Sequence, residues 1–413
     1  MITKIIKCRL CNSKKLKLII NFNKVPLGNN LQNKLVKSLS VNSYSLSLNN
    51  CQKCGHYQLG YSVNKKILYA TNYTYLSGIT SSFQDHFKNY SKKIIKKTNL
   101  KKGSLILDIG SNDGSCLVFF KKLKMNVLGI DPAKKPANIA NKKGIKTINR
   151  FFDKKNSILI KKKYGEVDFI TSHNVFAHVE NFQELIKNTQ LVLKKNGYLC
   201  FEVGYFKEVL KNNYFDTIYH EHLDYHHGRP VVKCLNSFGY SVVKISINKI
   251  QGGSIRILCK NDKKGINSKN VYNFLEKERK SIYFKDVYLK NWKNNIERDM
   301  KKITTFIKNN IKNNKLVIGY GAPTKATLIL KILKMDRNTL KNTIEDNHLK
   351  TNKYLPVTGI PIFESKYLKD INPDIILILA WNFKNEILQK LKSMGIKQKT
   401  IIVPLPKFEI IEI

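Results

Sequence analysis

The stretch SLILDIGSNDGSCLVFFKK, Ser104 to Lys122, runs from an apolar segment through a glycine turn into an amphipathic segment. The apolar run has no polar alternation, which predicts a strand buried on both faces of a parallel sheet. Gly110 and Gly114 predict a tight turn whose backbone can approach a ligand, with a helix N-terminus behind it. The turn reads D-x-G-x-x-x-G, whereas a dinucleotide site would read G-x-G-x-x-G. Asp108 ends the strand and Asn112-Asp113 lie in the loop, so carboxylates stand where a pyrophosphate would be repelled. They suit a cofactor carrying an ammonium and a sulfonium, S-adenosylmethionine. In NVLGIDPAKK (Asn126–Lys135), Asp131 closes a second strand and is placed to accept the ribose hydroxyls. The expected cofactor-binding set is Asp108, Gly110, Asn112, Gly114 and Asp131.

Outward from that turn the same alternation continues. VDFITSHNVFAHV (Val167–Val179) and NGYLCFEVGYF (Asn196–Phe206) read as buried strands between helices, giving a doubly wound α/β sheet. After a charged helical region, KLVIGYGAPTKATLILKIL (Lys315–Leu333) repeats the strand, Gly-x-Gly and helix design, so a second, smaller nucleotide-fold domain is expected. Glu202 lies at a strand end, where it either faces a pocket or caps the strand.

Upstream, CRLC (Cys8, Cys11) and CQKC (Cys51, Cys54) form two C-x2-C knuckles in one short region. That pattern matches a four-thiolate tetrahedral zinc site. Four protein ligands leave no open position for a substrate, so this zinc is expected to be structural. Cys116, Cys200, Cys234 and Cys259 are isolated in apolar segments and read as core.

The chain has 413 residues and a formal net charge of +45. Of its 74 basic residues only 7 are arginine, the residue best suited to bidentate phosphate and base recognition. The lysines spread along the whole chain without a basic stripe interleaved with aromatics, so no nucleic-acid partner is expected. The run before Cys8 is too short for the apolar core of a signal peptide. Segments such as DIILILAWNF (Asp374–Phe383) are strand-sized, not membrane-sized. A cytoplasmic protein without membrane insertion is expected, and there cysteines serve as thiols or ligands.

YHEHLDYHH, Tyr219 to His227, carries four of the nine histidines. His220-Glu221-His222 lacks the H-E-x-x-H spacing that puts two ligands on one helical face, although His222 and His226 stand four apart. His226 and His227 read as loop or helix-cap residues.

The ordered set CRLC…CQKC, YTYLSG (Tyr73–Gly78), LDIGSNDG, SHNVFAHV, YHEHLDY, GYGAPTKA and DNHLKTNKYLPVTGIPI resembles the sugar C-methyltransferase family. The C-terminal glycine turn departs from the family's frequent Ala-x-x-Lys-Gly, reading Pro323-Thr324-Lys325-Ala326. The resemblance implies three domains in order. These are a zinc-binding domain over 1–70, a class I, Rossmann-like methyltransferase domain over 71–297, and a Rossmann-like sugar-nucleotide-binding domain over 298–413. It implies methyl transfer from S-adenosylmethionine to a ring carbon, C3, of a nucleotide-linked 4-keto-deoxysugar, by a monomer. It also implies roles: His222 as general base, Tyr219 and Glu221 binding or orienting sugar and base, Tyr75 as donor to the sugar or enolate, and His178 assisting. The chemistry is coherent, because a carbonyl next to C3 acidifies its proton and a histidine titrates near working pH. A polymer-directed RNA or protein methyltransferase is the alternative. It lacks support from arginine content or from an N/D-P-P-[YFW] motif.

Overall fold

The computed structural model describes residues 2–68 and 81–413. The apolar run before the glycine turn is the strand Leu105–Ile109, third from one edge of a seven-stranded sheet. Across that sheet the order is Thr147–Ile148, Asn126–Ile130, Leu105–Ile109, Val167–His173, Leu193–Gly204, Ser254–Lys260, Ser241–Asn248. The first five are parallel, and the last two run antiparallel to their neighbours. A two-sided apolar strand needs cover on both faces, and helices supply it. Ser81–Thr98 and Ser115–Lys122 bring Phe87, Tyr90 and Phe120 against Ile106 and Phe169 on one face. Phe182–Val192 and Gly228–Ser237 bring Phe182, Leu185 and Val231 against the other. Cys116, Cys200, Cys234 and Cys259 are buried free thiols, as read from their apolar surroundings.

A second seven-stranded sheet has Val317–Tyr320 at its centre, flanked by Thr343–Glu345 and Ile375–Ile378. Five of its strands are parallel and each edge strand is antiparallel. The 27-residue helix Asp286–Lys312 leads into it and buries Leu289, Trp292, Ile296, Met300, Ile303 and Ile307 at helical spacing. The expected limit between residues 297 and 298 falls inside this helix.

The N-terminal region folds as an antiparallel sheet of Leu16–Pro26, Ser43–Cys51 and Tyr57–Leu59. Its last member, Asp224–Tyr225, comes from the histidine-rich stretch. Ile20, Phe22, Val25 and Leu46 share one core with Leu328, Leu330 and Ile376 of the C-terminal sheet layer. The first and third regions therefore touch directly. Gly28 marks the tightest point, since a Cβ there would lie 1.8 Å from the Thr324 carbonyl oxygen. Only glycine lets these two backbones approach so closely.

Among the described residues no helix is long and apolar enough to cross a membrane.

Candidate active site and zinc centre

The cofactor turn is built from backbone geometry. Gly110 has φ +71°, and a Cβ there would lie 2.2 Å from Val175 Cγ2. Asn112 also adopts a left-handed conformation (φ +50°), a region that asparagine tolerates better than most residues. Gly114, at φ +76°, is the N-cap of the helix Ser115–Lys122. Asp131 Oδ2 accepts the Asn112 amide at 2.9 Å and Oδ1 accepts the Ala133 amide at 2.8 Å. Each carboxylate oxygen keeps a further lone pair for a ligand hydroxyl. Asp108 is buried and its Oδ1 has no hydrogen-bond partner among the described residues. Burial, then the neighbouring Asp131, pushes its carboxyl well above the usual range. A cationic ligand group would satisfy that oxygen and reverse the shift. These residues fit S-adenosylmethionine. Asp113 is engaged elsewhere, capping Ser115 and pairing with Lys143 at 2.8 Å.

Val175 packs against Gly110 and His178 follows three residues later, so one short segment links the turn to the histidines. His178 Nδ1 donates to the Glu221 carbonyl oxygen at 2.7 Å. His222 Nδ1 donates to the Thr217 carbonyl oxygen at 3.0 Å, because a carbonyl can only accept. That fixes the neutral tautomer with its lone pair on Nε2, which lies 3.0 Å from the Tyr219 hydroxyl. The two imidazoles meet edge to face with centroids 4.9 Å apart. Burial, then the neighbouring His178, lowers His222 to about 3, so contrary to the expectation from sequence it does not titrate near working pH. Glu221 is pushed up to about 7 by burial, against a lowering contribution from the Asn29 amide. Asn29 Nδ2 donates to Glu221 Oε1 at 2.9 Å, and its own Oδ1 accepts the Thr324 hydroxyl at 2.6 Å. Residues of the first and third regions thus reach the carboxyl of the second. Nothing local in PLGNN or GAPTKA signals this contact.

Tyr219, Glu221, His222 and His178 are brought together as expected from the resemblance; Tyr75 lies outside the described residues. The remaining histidines of the stretch face away. His220 Nε2 donates to the Tyr44 carbonyl oxygen at 3.1 Å, and His226 Nε2 donates to that of Phe176 at 3.2 Å. His227 is the residue preceding the helix Gly228–Ser237 and lies between the Gly55 carbonyl oxygen (2.9 Å) and Glu278 (3.1 Å). None of them joins a cluster of metal-ligating atoms among the described residues.

Two such clusters exist there. The first is Cys8, Cys11, Cys51 and Cys54, whose sulfurs lie within 4.8 Å of one another, the pairs Cys8–Cys54 and Cys11–Cys51 at 3.6 Å. Tetrahedral zinc with bonds of about 2.3 Å needs sulfurs about 3.8 Å apart, so these four fit it. The second is His86, His173 and Glu202, which sequence reasoning left unrecognised apart from Glu202. Here Arg256 already supplies the positive charge, with Nε and one terminal nitrogen each 2.7 Å from Glu202 Oε2. His86 Nε2 binds the other carboxylate oxygen at 2.7 Å. Glu202 therefore does not cap its strand but lies at the centre of an ionic group with Arg256 and His86.

Three family models match the chain in order. They are a zinc binding domain over residues 8–69, a methyltransferase domain over 83–245, and a C-methyltransferase C-terminal domain over 249–406. The C-methyltransferase NovU of Streptomyces niveus is 27% identical over 406 residues, covering 98% of this chain and 96% of that protein. The chain is an S-adenosylmethionine-dependent C-methyltransferase. Its N-terminal region, with the four clustered cysteines, is the zinc-binding domain. Two solved structures resemble parts of the chain. Magnesium protoporphyrin IX methyltransferase (ChlM) of Synechocystis PCC 6803 with bound SAM is 15% identical over 43% of this chain and 78% of that one, with a TM-score of 0.34. A complex of the Haloferax volcanii Trm112 methyltransferase activator with a methyltransferase gives 13%, 44%, 92% and 0.36.

Proposed function

We propose that this C-methyltransferase acts on C3 of a nucleotide-linked 4-keto-deoxysugar, with His222 removing the C3 proton. The observation that carries the reading is the Nε2 lone pair of a neutral His222, set by the Thr217 carbonyl on its other nitrogen. Nε2 takes the proton, and the C3–H bonding pair becomes the enolate double bond while O4 gains the negative charge. The Tyr219 hydroxyl donates to Nε2 at 3.0 Å and so orients the base; it must release that lone pair before Nε2 takes the C3 proton. Glu221, in its protonated form, is a donor for a sugar oxygen or the enolate; ionised, it would raise the cost of negative charge nearby. S-adenosylmethionine, when bound, supplies an electrophilic methyl group on a sulfonium. The imidazolium of His222 then returns its proton to solvent. Mass spectrometry of products from a panel of nucleotide 4-keto sugars tests the reading. At least one should gain a single methyl group on C3, and methylation of none would end it.

The pH profile follows from the two shifted groups. His222, held at about 3, stays neutral throughout the working range, so no inflection near 6.5 is expected from it in kcat/KM. Glu221, raised to about 7, loses its proton as pH rises through that value, so kcat/KM should fall on the alkaline side. In Glu221→Gln the group can no longer ionise, and that limb should disappear. A limb near pH 7 that persists unchanged in Glu221→Gln would assign it to another residue.

Asp131→Ala should weaken cofactor binding by about tenfold to a hundredfold, the cost of losing hydrogen bonds to a charged group. The loss includes the brace on the Asn112 amide as well as the ribose contacts. Titration calorimetry with S-adenosylmethionine measures it, and unchanged affinity would remove Asp131 from the site.

A further inference from the structure

We propose that Arg9 is a positioning residue for the facing histidines, so that the zinc knuckle sets the geometry of the reaction; this rests on the reading of His222 as base. Arg9 lies between Cys8 and Cys11. Its Nε donates to Asp224 Oδ1 at 2.8 Å, one terminal nitrogen donates to the Glu180 carbonyl oxygen at 2.8 Å, and the other donates to that of Val179. Val179 and Glu180 directly follow His178, and Asp224 stands two residues after His222. One guanidinium thus grips both segments that carry the histidine pair. The Asp224 side chain is fully buried and that of Arg9 is nine-tenths buried, so the ion pair is shielded from water, while the bond to the Glu180 carbonyl lies at the surface. His56, two residues beyond Cys54, makes a second 2.8 Å contact with the same Asp224 oxygen. The strand Asp224–Tyr225 pairs with Tyr57–Leu59 alongside. Asp224 balances the charge of Arg9. The two carbonyl bonds add nothing to that balance and serve geometry.

A guanidinium is a rigid planar fork, whereas an ammonium is a point charge on a flexible stem. Lysine at position 9 can keep the ion pair but cannot span all three acceptors. The His178–His222 edge-to-face contact should then loosen, and a misplacement near 1 Å costs about 10²-fold in rate.

The test uses zinc-loaded full-length Arg9→Lys with the sugar nucleotide that the panel identifies. Expected is a kcat loss of about tenfold to a hundredfold, with KM for both substrates and zinc content close to those of the parent. Nitrogen-15 NMR of histidine-labelled protein should show a shifted His178 Nδ1 signal. Adding Arg9→Lys to His222→Asn should cause little further loss, because both act on one step. Asp224→Asn, which alters the other end of the grip, should give the same kcat loss and serves if Arg9→Lys does not fold. Unchanged kcat with intact zinc overturns the proposal, and so does misfolding or zinc loss in both variants, which would make the grip purely structural. Near-normal turnover in His222→Asn alone would instead sink the underlying assignment of the base.

Discussion

His222→Asn is expected to cut turnover by about 10²–10⁴-fold, the usual contribution of a general base. Asparagine keeps a donor for the Thr217 carbonyl but has no basic nitrogen to offer in place of Nε2. Cofactor affinity should hardly change, because the cofactor turn is braced by Asp131 and by Val175 packing, not by His222. The variant should also fail to exchange the sugar C3 proton with deuterated solvent when no methyl donor is present. His220→Asn is the internal control. Its ring donates to the Tyr44 carbonyl oxygen at 3.1 Å, so replacing it costs one structural hydrogen bond of about 1 kcal/mol and leaves the base in place. A variant pair with the opposite ranking would mean that the wrong histidine has been given the proton.

The second large effect concerns zinc. About one zinc per chain is expected, and Cys51→Ser should abolish stoichiometric binding. Metal binding free energy of about 10–16 kcal/mol in small zinc modules is folding free energy, so its loss should unfold the knuckle region. Each kcal/mol lost is worth roughly 4–8 °C of melting temperature for a domain of about 60–100 residues. A large drop in the thermal transition and poor solubility are therefore expected, ahead of any specific change in chemistry. Cys51 is fully buried at the end of the strand Ser43–Cys51, so a serine there cannot be rescued by solvent. Inductively coupled plasma analysis and calorimetry on freshly purified protein check both points. Parent protein without zinc would remove the metal from the account.

Much of this enzyme was legible in the chain because the deciding signals are local. A strand, a glycine turn and a helix are specified within the nineteen residues from Ser104 to Lys122, since apolar runs, positive-φ turns and helical periodicity each act over a few positions. The same holds for the repeat at Lys315–Leu333. C-x2-C pairs likewise declare a zinc site, because each knuckle presents two thiolates from one tight turn.

Tertiary structure alone decided which partner each histidine meets. In the letters His220, His222, His226 and His227 are alike, but each ring nitrogen finds a different partner across the fold. The partners are Tyr44, Thr217, Phe176 and Gly55, three of them more than forty residues away. Glu202 gave no sign in the letters that Arg256 and His86 would bind its carboxylate. The link from Asn29 to Glu221 spans 192 residues, and that from Arg9 to Asp224 spans 215. Such contacts leave no periodicity or spacing behind. They exist because burial removes water as a partner, and a buried polar group must then be satisfied by whatever the packing of the regions brings near.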